Sequence, residues 1–464
     1  LRLGKAKDVF IHFGPLDSVG PGLLASVRRQ NRPVKMPIAP VRLFVLAALC
    51  LARGSDADGT LPDIGSFVSD WIPYRRGLGH KATEGAPLHG LALPVNNNIL
   101  GSCMADENAL AVRSLTFPPF TQGPLSTVAR DQSQLGRILV NGEKVYTTQY
   151  QWTPWSFRRT GEVGGGSCDG RYNVTTEVSL PLNASGVVMR ADITTAKKAA
   201  GGDNVGLKVE VEILAAVRSF PSAAVNCSEL QWVYPANEQQ ICWNWYAPRP
   251  YHNQTTQFSG VWDASRNVAV YKDSLTDAVT AVAFSRSPSS TPLSPASPGD
   301  PIVVLFSPVG SQGGSSVSVG FGMAVSIGSS TDEGGVEHHV RRAMQWAADA
   351  DNEIDVKARH DRQVRFEKAF DPNDDYFSGS LPILSSGTQS GSNTSADAVA
   401  MQRHYYSSIL QTIDMERHGL PLAPKGSRRV FVTGSGENAT TNTFFWDLDY
   451  ASTTFIMLDP ETFK

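Results

Sequence analysis

The chain has 464 residues, 41% of them hydrophobic and 18% charged, and its 41 Lys+Arg against 44 Asp+Glu leave a formal net charge of −3. That near balance argues against a nucleic-acid or anionic-membrane surface. One core seldom organises so long a chain, so two or more units are expected, and 41 glycines with 29 prolines point to the frequent turns of a β-rich protein.

The first methionine is Met36, so Leu1–Lys35 reads as upstream sequence translated with the gene. From Met36 the chain runs through Arg42 into the apolar stretch Leu43–Ala52, with small residues at Cys50 and Ala52. A basic residue, a short apolar run and a small-residue site make a signal peptide over 36–52; the alternative is a buried strand or short helix. The run falls short of the roughly 20 apolar residues that span a bilayer, and no other segment qualifies, so no membrane span is expected in the mature chain. Export to the endoplasmic reticulum lumen or beyond agrees with six Asn-X-Ser/Thr sequons, at Asn173, Asn183, Asn226, Asn253, Asn393 and Asn438.

Loss of the signal removes Cys50 and leaves Cys103, Cys168, Cys227 and Cys242, an even number suited to an oxidising compartment. Three pairings are open. Cys227–Cys242 closes a short loop, worth roughly 3 kcal/mol in the chain-entropy picture, and Cys103–Cys168 would then be the second bridge. There is no C-x-x-C, and His338-His339 are adjacent on a helical stretch, where neighbours face different directions. Solvated or capping roles are expected for them, and no metal or cofactor.

Residues 61–330 read as an antiparallel β-sandwich. Arg137–Val140, Asn141-Gly142 and Glu143–Tyr146 form a hairpin pattern with a type I′ turn. In Leu207–Ile213 the apolar Leu207, Val209, Val211 and Ile213 share one face. Further strands are expected at Val187–Ile193, Val268–Tyr271, Ala278–Phe284, Ile302–Phe306 and Val317–Ile327, with Ser287–Pro301 as a surface loop.

Residues 331–395 read as linker helices and a Gly/Ser linker. Gly335–Phe370 has helical spacing, with Val340, Met344 and Ala347 on one side and Ile354, Ala358, Val364 and Phe366 following. Its charges, Arg359 and Arg362 among them, are expected on a solvated face. Asp371-Pro372 ends the region, and Ser378–Ser395 is the linker. Asp397–Glu416 is the next helix, with Val399, Tyr406, Leu410 and Ile413 on one stripe and Ser395 as N-cap. It opens a helical domain over 396–464, a length too short to finish a helical barrel.

The segment Thr440–Tyr450 concentrates two carboxylates, Asp447 and Asp449, among Phe444, Phe445, Trp446 and Tyr450, and Leu458-Asp459-Pro460 follows. Aromatic rings stack on the apolar faces of sugars, and glycosidic cleavage needs a carboxylic acid to protonate the leaving oxygen. An ordinary helix start, with an Asp at its positive end and the aromatics in the core, accounts for the same residues. The segment Phe444-Phe-Trp446-Asp447 with Leu458-Asp459-Pro460 resembles the general-acid motif of glycoside hydrolase family 63, which contains processing α-glucosidase I and bacterial α-glucosidase-like relatives. More weakly, Leu88–Pro94, Leu139–Val145 and the aromatic-rich Tyr150–Phe157 resemble parts of the bacterial relatives' sandwich.

The resemblance implies a supersandwich, linker helices and the first part of an (α/α)6 barrel. It also implies inverting hydrolysis of an α-glucosidic bond in an oligosaccharide or glycan, with Asp447 as catalytic acid and a base outside this sequence, so that the fragment alone is expected to be inactive. Phe445 and Trp446 are then substrate-binding, and Asp449 orients a hydroxyl or caps a helix. Alternatives are a trehalase or other glucan hydrolase on the same barrel, a non-catalytic carbohydrate-binding protein, and an adhesion protein using Trp152–Phe157 and Trp243–Tyr246.

Overall fold

A computed structural model describes residues 61–74, 95–117, 121–123, 135–163, 172–195, 207–215, 217–219, 258–274, 277–292, 295, 300–308, 316–326, 335–352, 354–384, 396–418, 430–431 and 453–461. All of them belong to the unit Ala57–Lys464. The expected signal peptide therefore lies outside the described residues, as do Leu88–Pro94 and Trp243–Tyr246.

The first strands are β1 (Ile72–Pro73), β2 (Val95–Asn98), β3 (Gly101–Ala105), β4 (Val112–Phe117), β5 (Thr121–Gly123), β6 (Arg137–Val140), β7 (Glu143–Trp152) and β8 (Ser156–Val163). There follow β9 (Tyr172–Ser179), β10 (Gly186–Thr195), β11 (Val209–Ile213), β12 (Arg218–Ser219), β13 (Phe258–Asp263), β14 (Val268–Asp273), β15 (Val279–Phe284), β16 (Ile302–Phe306) and β17 (Ser316–Val325). Among the described residues twelve strands form one sheet in the order β13-β14-β15-β17-β10-β9-β8-β7-β6-β11-β16, with β1 beside β7. A second sheet has the order β12-β5-β4-β3-β2. Every pairing described within both is antiparallel.

The hairpin between β6 and β7 forms where the Asn-Gly pair predicts it. Asn141 and Gly142 have φ of 52° and 82°, the positive values that a type I′ turn demands. Asn141 tolerates its backbone because its side chain is used: Oδ1 accepts from the Lys208 N–H at 2.8 Å and Nδ2 donates to the Tyr172 hydroxyl at 2.5 Å. Alternation in β11 buries Val209, Val211 and Ile213 and turns Glu210 and Glu212 outward. Cys103, Leu115 and Phe117 of the smaller sheet join Ile138, Val178, Met189, Phe306 and Phe321 of the larger one in a single apolar core, so the two sheets share one interior.

Among the described residues the helices α1 (Gly335–Asn352), α2 (Ile354–Lys368) and α3 (Ala396–Asp414) follow, with a further helical turn at 453–458. Helix α1 lies on the larger sheet, where Val340, Ala343, Trp346, Ala347 and Ala350 pack on Val188, Val268, Ala281, Ala283 and Ala324. Met344 is exposed, not on that stripe, since positions 340, 343, 347 and 350 already take the contact side of the 3.6-residue period. Nor is His339 solvated: it is 6% exposed, its Nδ1 has no partner among the described residues, and burial pushes its pKa down to about 4.

Around α2 and α3 a second core gathers Phe366, Phe370, Tyr406, Ile409, Leu410 and Ile413 with Ile64 and Phe67 from the chain ahead of β1. Trp155 of the β7–β8 turn joins it, with the Arg359 guanidinium 5.5 Å from its ring. Three expectations are corrected here. Arg362 is buried, at 4% exposure, because α2 is covered by α3 and by β2. Val399 is exposed, since the contact stripe of α3 begins only at Tyr406. The described start of the expected Gly/Ser linker, 378–384, is docked: Leu381 is buried, as is Phe377 just ahead of it, and the Leu381 N–H donates to the Ala369 carbonyl at 2.8 Å.

Candidate active-site frame

Asp447, Phe445, Trp446 and Asp449 lie outside the described residues, as do Asn226, Asn253, Asn393, Asn438, Cys168, Cys227 and Cys242. Asn173 on β9 and Asn183 in the turn before β10 are exposed. Cys103 is a fully buried free thiol that burial pushes up to about 12.

The residues on either side of the Asp447 segment are well anchored. Upstream, β18 (Glu416–Arg417) pairs with β19 (Val430–Phe431). Downstream, residues 453–458 are helical and bury Phe455 and Leu458. Phe431 and Phe455 stack with centroids 4.5 Å apart. Asp459, which the sequence places just after this helix, is 3% exposed. Its carboxylate accepts from the Ser378 hydroxyl and from the Ser378 N–H at 3.3 Å, while the Gly379 N–H donates to the Leu458 carbonyl at 3.0 Å. Gly379 is required by this approach: a Cβ there would stand 2.2 Å from the Met457 carbonyl oxygen.

Beside this frame sits a charged cluster that sequence reasoning missed. Arg362 and Arg365 come from α2, Asp414 from the end of α3, Glu416 and Arg417 from β18. Arg365 donates to Glu416 Oε2 through NH2 at 2.6 Å and Nε at 3.2 Å. Glu416 Oε1 accepts from the Tyr376 hydroxyl at 2.9 Å and meets His418 Nε2. Burial alone would raise the Glu416 pKa, but Arg365 and His418 outweigh it and hold the carboxyl at about 2. Burial lowers Arg362 and Arg417, to about 10 and about 9, so both remain charged at neutral pH.

The cluster fastens the helices to the smaller sheet. Arg362 NH2 donates to the Asn97 carbonyl; Arg417 donates to the Asn98 carbonyl at 3.1 Å and to Asn97 Oδ1 at 2.8 Å. Asn98 in turn donates to the carbonyls of Pro181 and Ala184 at 2.6 and 2.9 Å and accepts from the N–H groups of Leu100 and Gly101. The run Asn96-Asn97-Asn98 was the one available signal: three amides in a strand, two of them buried, need partners.

Among the described residues no group of three His, Cys, Asp or Glu side chains could hold a metal ion, and no helix is long and apolar enough to cross a membrane. Among the described residues the fold thus defines a protein of two large antiparallel sheets followed by helices and the small pair β18-β19.

No family model matches the chain, and no curated protein does. Among solved structures it is similar to a protein assigned as a kojibiose phosphorylase, from the human microbiome, at 10% identity and a TM-score of 0.37, over 79% of this chain and 44% of that one. It is also similar to a bacterial glucoamylase complexed with acarbose, at 8% identity and a TM-score of 0.38, over 75% of this chain and 44% of that one. The chain spans less than half the length of either, and likeness this slight carries no argument about activity.

Proposed function

We propose that the chain is the amino-terminal portion of a secretory-pathway glycoside hydrolase that cleaves α-glucosidic bonds of oligosaccharides or glycans with inversion. The observation that carries this reading is the segment Phe444-Phe-Trp446-Asp447 with Leu458-Asp459-Pro460 and its resemblance to the general-acid motif of family 63. The order of elements supports it: two antiparallel sheets, then linking helices, then helices that would begin an (α/α)6 barrel. The anchoring of both flanks, by Phe431 with Phe455 and by Ser378 with Asp459, suits a segment that must hold an acid in one place.

In this reading Asp447 protonates the departing oxygen while a second carboxylate, outside this sequence, activates water on the opposite face. The two carboxyl groups then stand about 6.5–9.5 Å apart to admit that water. Phe445 and Trp446 supply apolar surface to the sugar and desolvate Asp447, which favours its protonated form. Asp449 orients a hydroxyl or caps the following helix.

The test uses the longest chain that the transcript encodes. Asp447→Asn should retain the fold and sugar binding yet lose about 10²–10⁴-fold in disaccharide turnover. A glucosyl fluoride, whose leaving group needs no proton, should be affected far less. Undiminished disaccharide hydrolysis by Asp447→Asn would reject the acid assignment, and loss of folding would favour the purely structural account of the segment.

A further inference from the structure

The guanidinium groups of Arg362, Arg365 and Arg417 are all at least nine-tenths buried, yet each keeps an N–H with no hydrogen-bond partner among the described residues. These are NH1 of Arg362, NH1 of Arg365 and Nε of Arg417. Two of them face the same carboxylate oxygen, Asp414 Oδ1, from beyond good hydrogen-bonding range, at 3.5 Å for Arg362 and 4.0 Å for Arg365. Arg417 is tied to the same turn by its bond to the Asp414 carbonyl at 2.7 Å. Three buried donors on cations are costly to leave unmade; two of them point at one carboxylate oxygen, and the third belongs to the arginine bonded to that residue's own carbonyl.

The charge balance identifies the kind of acceptor. Among the described residues, three guanidinium charges face two carboxylates, Asp414 and Glu416, which leaves one positive charge in excess. Glu416 is fully engaged by Arg365, Tyr376 and His418. Asp361, near Arg362 on α2, is only half-buried and is open to solvent screening. A buried net charge is stable only when paired. A cation would add to the excess, and a multiply charged anion would overshoot it beside Asp414.

We propose that Arg362, Arg365 and Arg417 form a binding site for one small monovalent inorganic anion of chloride size, seated beside Asp414 where α2, α3 and β18 meet β2. The anion accepts from the three free N–H groups and completes the fastening of the helices to the smaller sheet. Guanidinium is weakly hydrated, so it exchanges water for such an anion more readily than an ammonium would.

The full 464-residue chain tests this by thermal unfolding at constant ionic strength, with sodium gluconate replaced stepwise by chloride, bromide or phosphate. Binding to the folded state predicts a saturable rise in Tm of about 2 °C with chloride and bromide, beyond gluconate. Superimposable curves in chloride and gluconate, or a response to phosphate alone, would overturn the proposal. Arg417→Lys should abolish the saturable response, and a folded variant that keeps it would also overturn the site. Should that variant fail to fold, crystals of the unaltered chain in saturating bromide decide: an anomalous peak among the three guanidinium groups supports the site, and its absence removes it.

Discussion

Phe431 and Phe455 stack at 4.5 Å with their ring planes inclined by 28°, and the 23 positions between them carry the whole aromatic–carboxylate segment around Asp447. Both rings belong to the core formed by α2 and α3, so one contact ties each end of that segment to the rigid part of the chain. Phe455→Ala should therefore cost about 3–5 kcal/mol, the range for removing a buried phenyl ring. Phe455→Leu, which keeps most of the volume, should cost less than half as much. Urea unfolding followed by tryptophan fluorescence measures both; equal losses in the two variants would show that packing at this position is unimportant.

Glu416 sets a pH dependence. Its folded pKa of about 2 lies below the ordinary 4.5, so its contribution is present above pH 4.5 and is lost as the pH falls toward 2. Asp414, raised by burial against the pull of its three arginines, acts in the opposite sense and offsets part of that loss. Glu416→Gln should cost about 3–5 kcal/mol at neutral pH, as breaking a buried ion pair does. It should also flatten the stability profile between pH 4.5 and 2. Parallel profiles for the two proteins would remove Glu416 as the source of the acid sensitivity.

At Gly322 the bare backbone lets α1 approach the sheet. A Cβ there would lie 2.5 Å from Trp346 Cβ and 2.6 Å from the Ala343 carbonyl oxygen, and a helix backbone cannot step aside as a flexible side chain can. Gly322→Ala is expected to destabilise by about 1–3 kcal/mol through overpacking. Gly142 offers the contrast: nothing lies within 4 Å of its added Cβ, and only its φ of 82° resists substitution, so Gly142→Ala should cost about 1 kcal/mol or less. Thermal unfolding of the pair checks the ranking.

Export, as proposed from the leader pattern and the sequons, would place glycans first on the exposed Asn173 and Asn183. Expression in a eukaryotic secretory host, with intact mass before and after deglycosylation, should show both sites occupied and Met36 absent. An unglycosylated product that retains Met36 would reject the secretory assignment.

The features legible in the sequence are those in which a residue is answered by its near neighbours. Asn141-Gly142 dictates its turn through allowed φ values, β11 shows its buried face by simple alternation, and Tyr406, Leu410 and Ile413 mark one side of α3 by helical spacing. Strand β2 offers three asparagines and no apolar period, and β9 alternates through Val174, Thr176 and Val178 with a polar residue in the middle of its buried face, so neither is legible as a strand from apolar residues alone. Only the tertiary structure decided which strands are neighbours, as where β17 lies between β10 and β15. Only it, too, turned Arg362 from an apparent surface charge into a buried donor to Asn97, 265 positions away. A charged side chain enters the interior when distant groups supply its hydrogen bonds, and the identity of those groups is written nowhere near it along the chain.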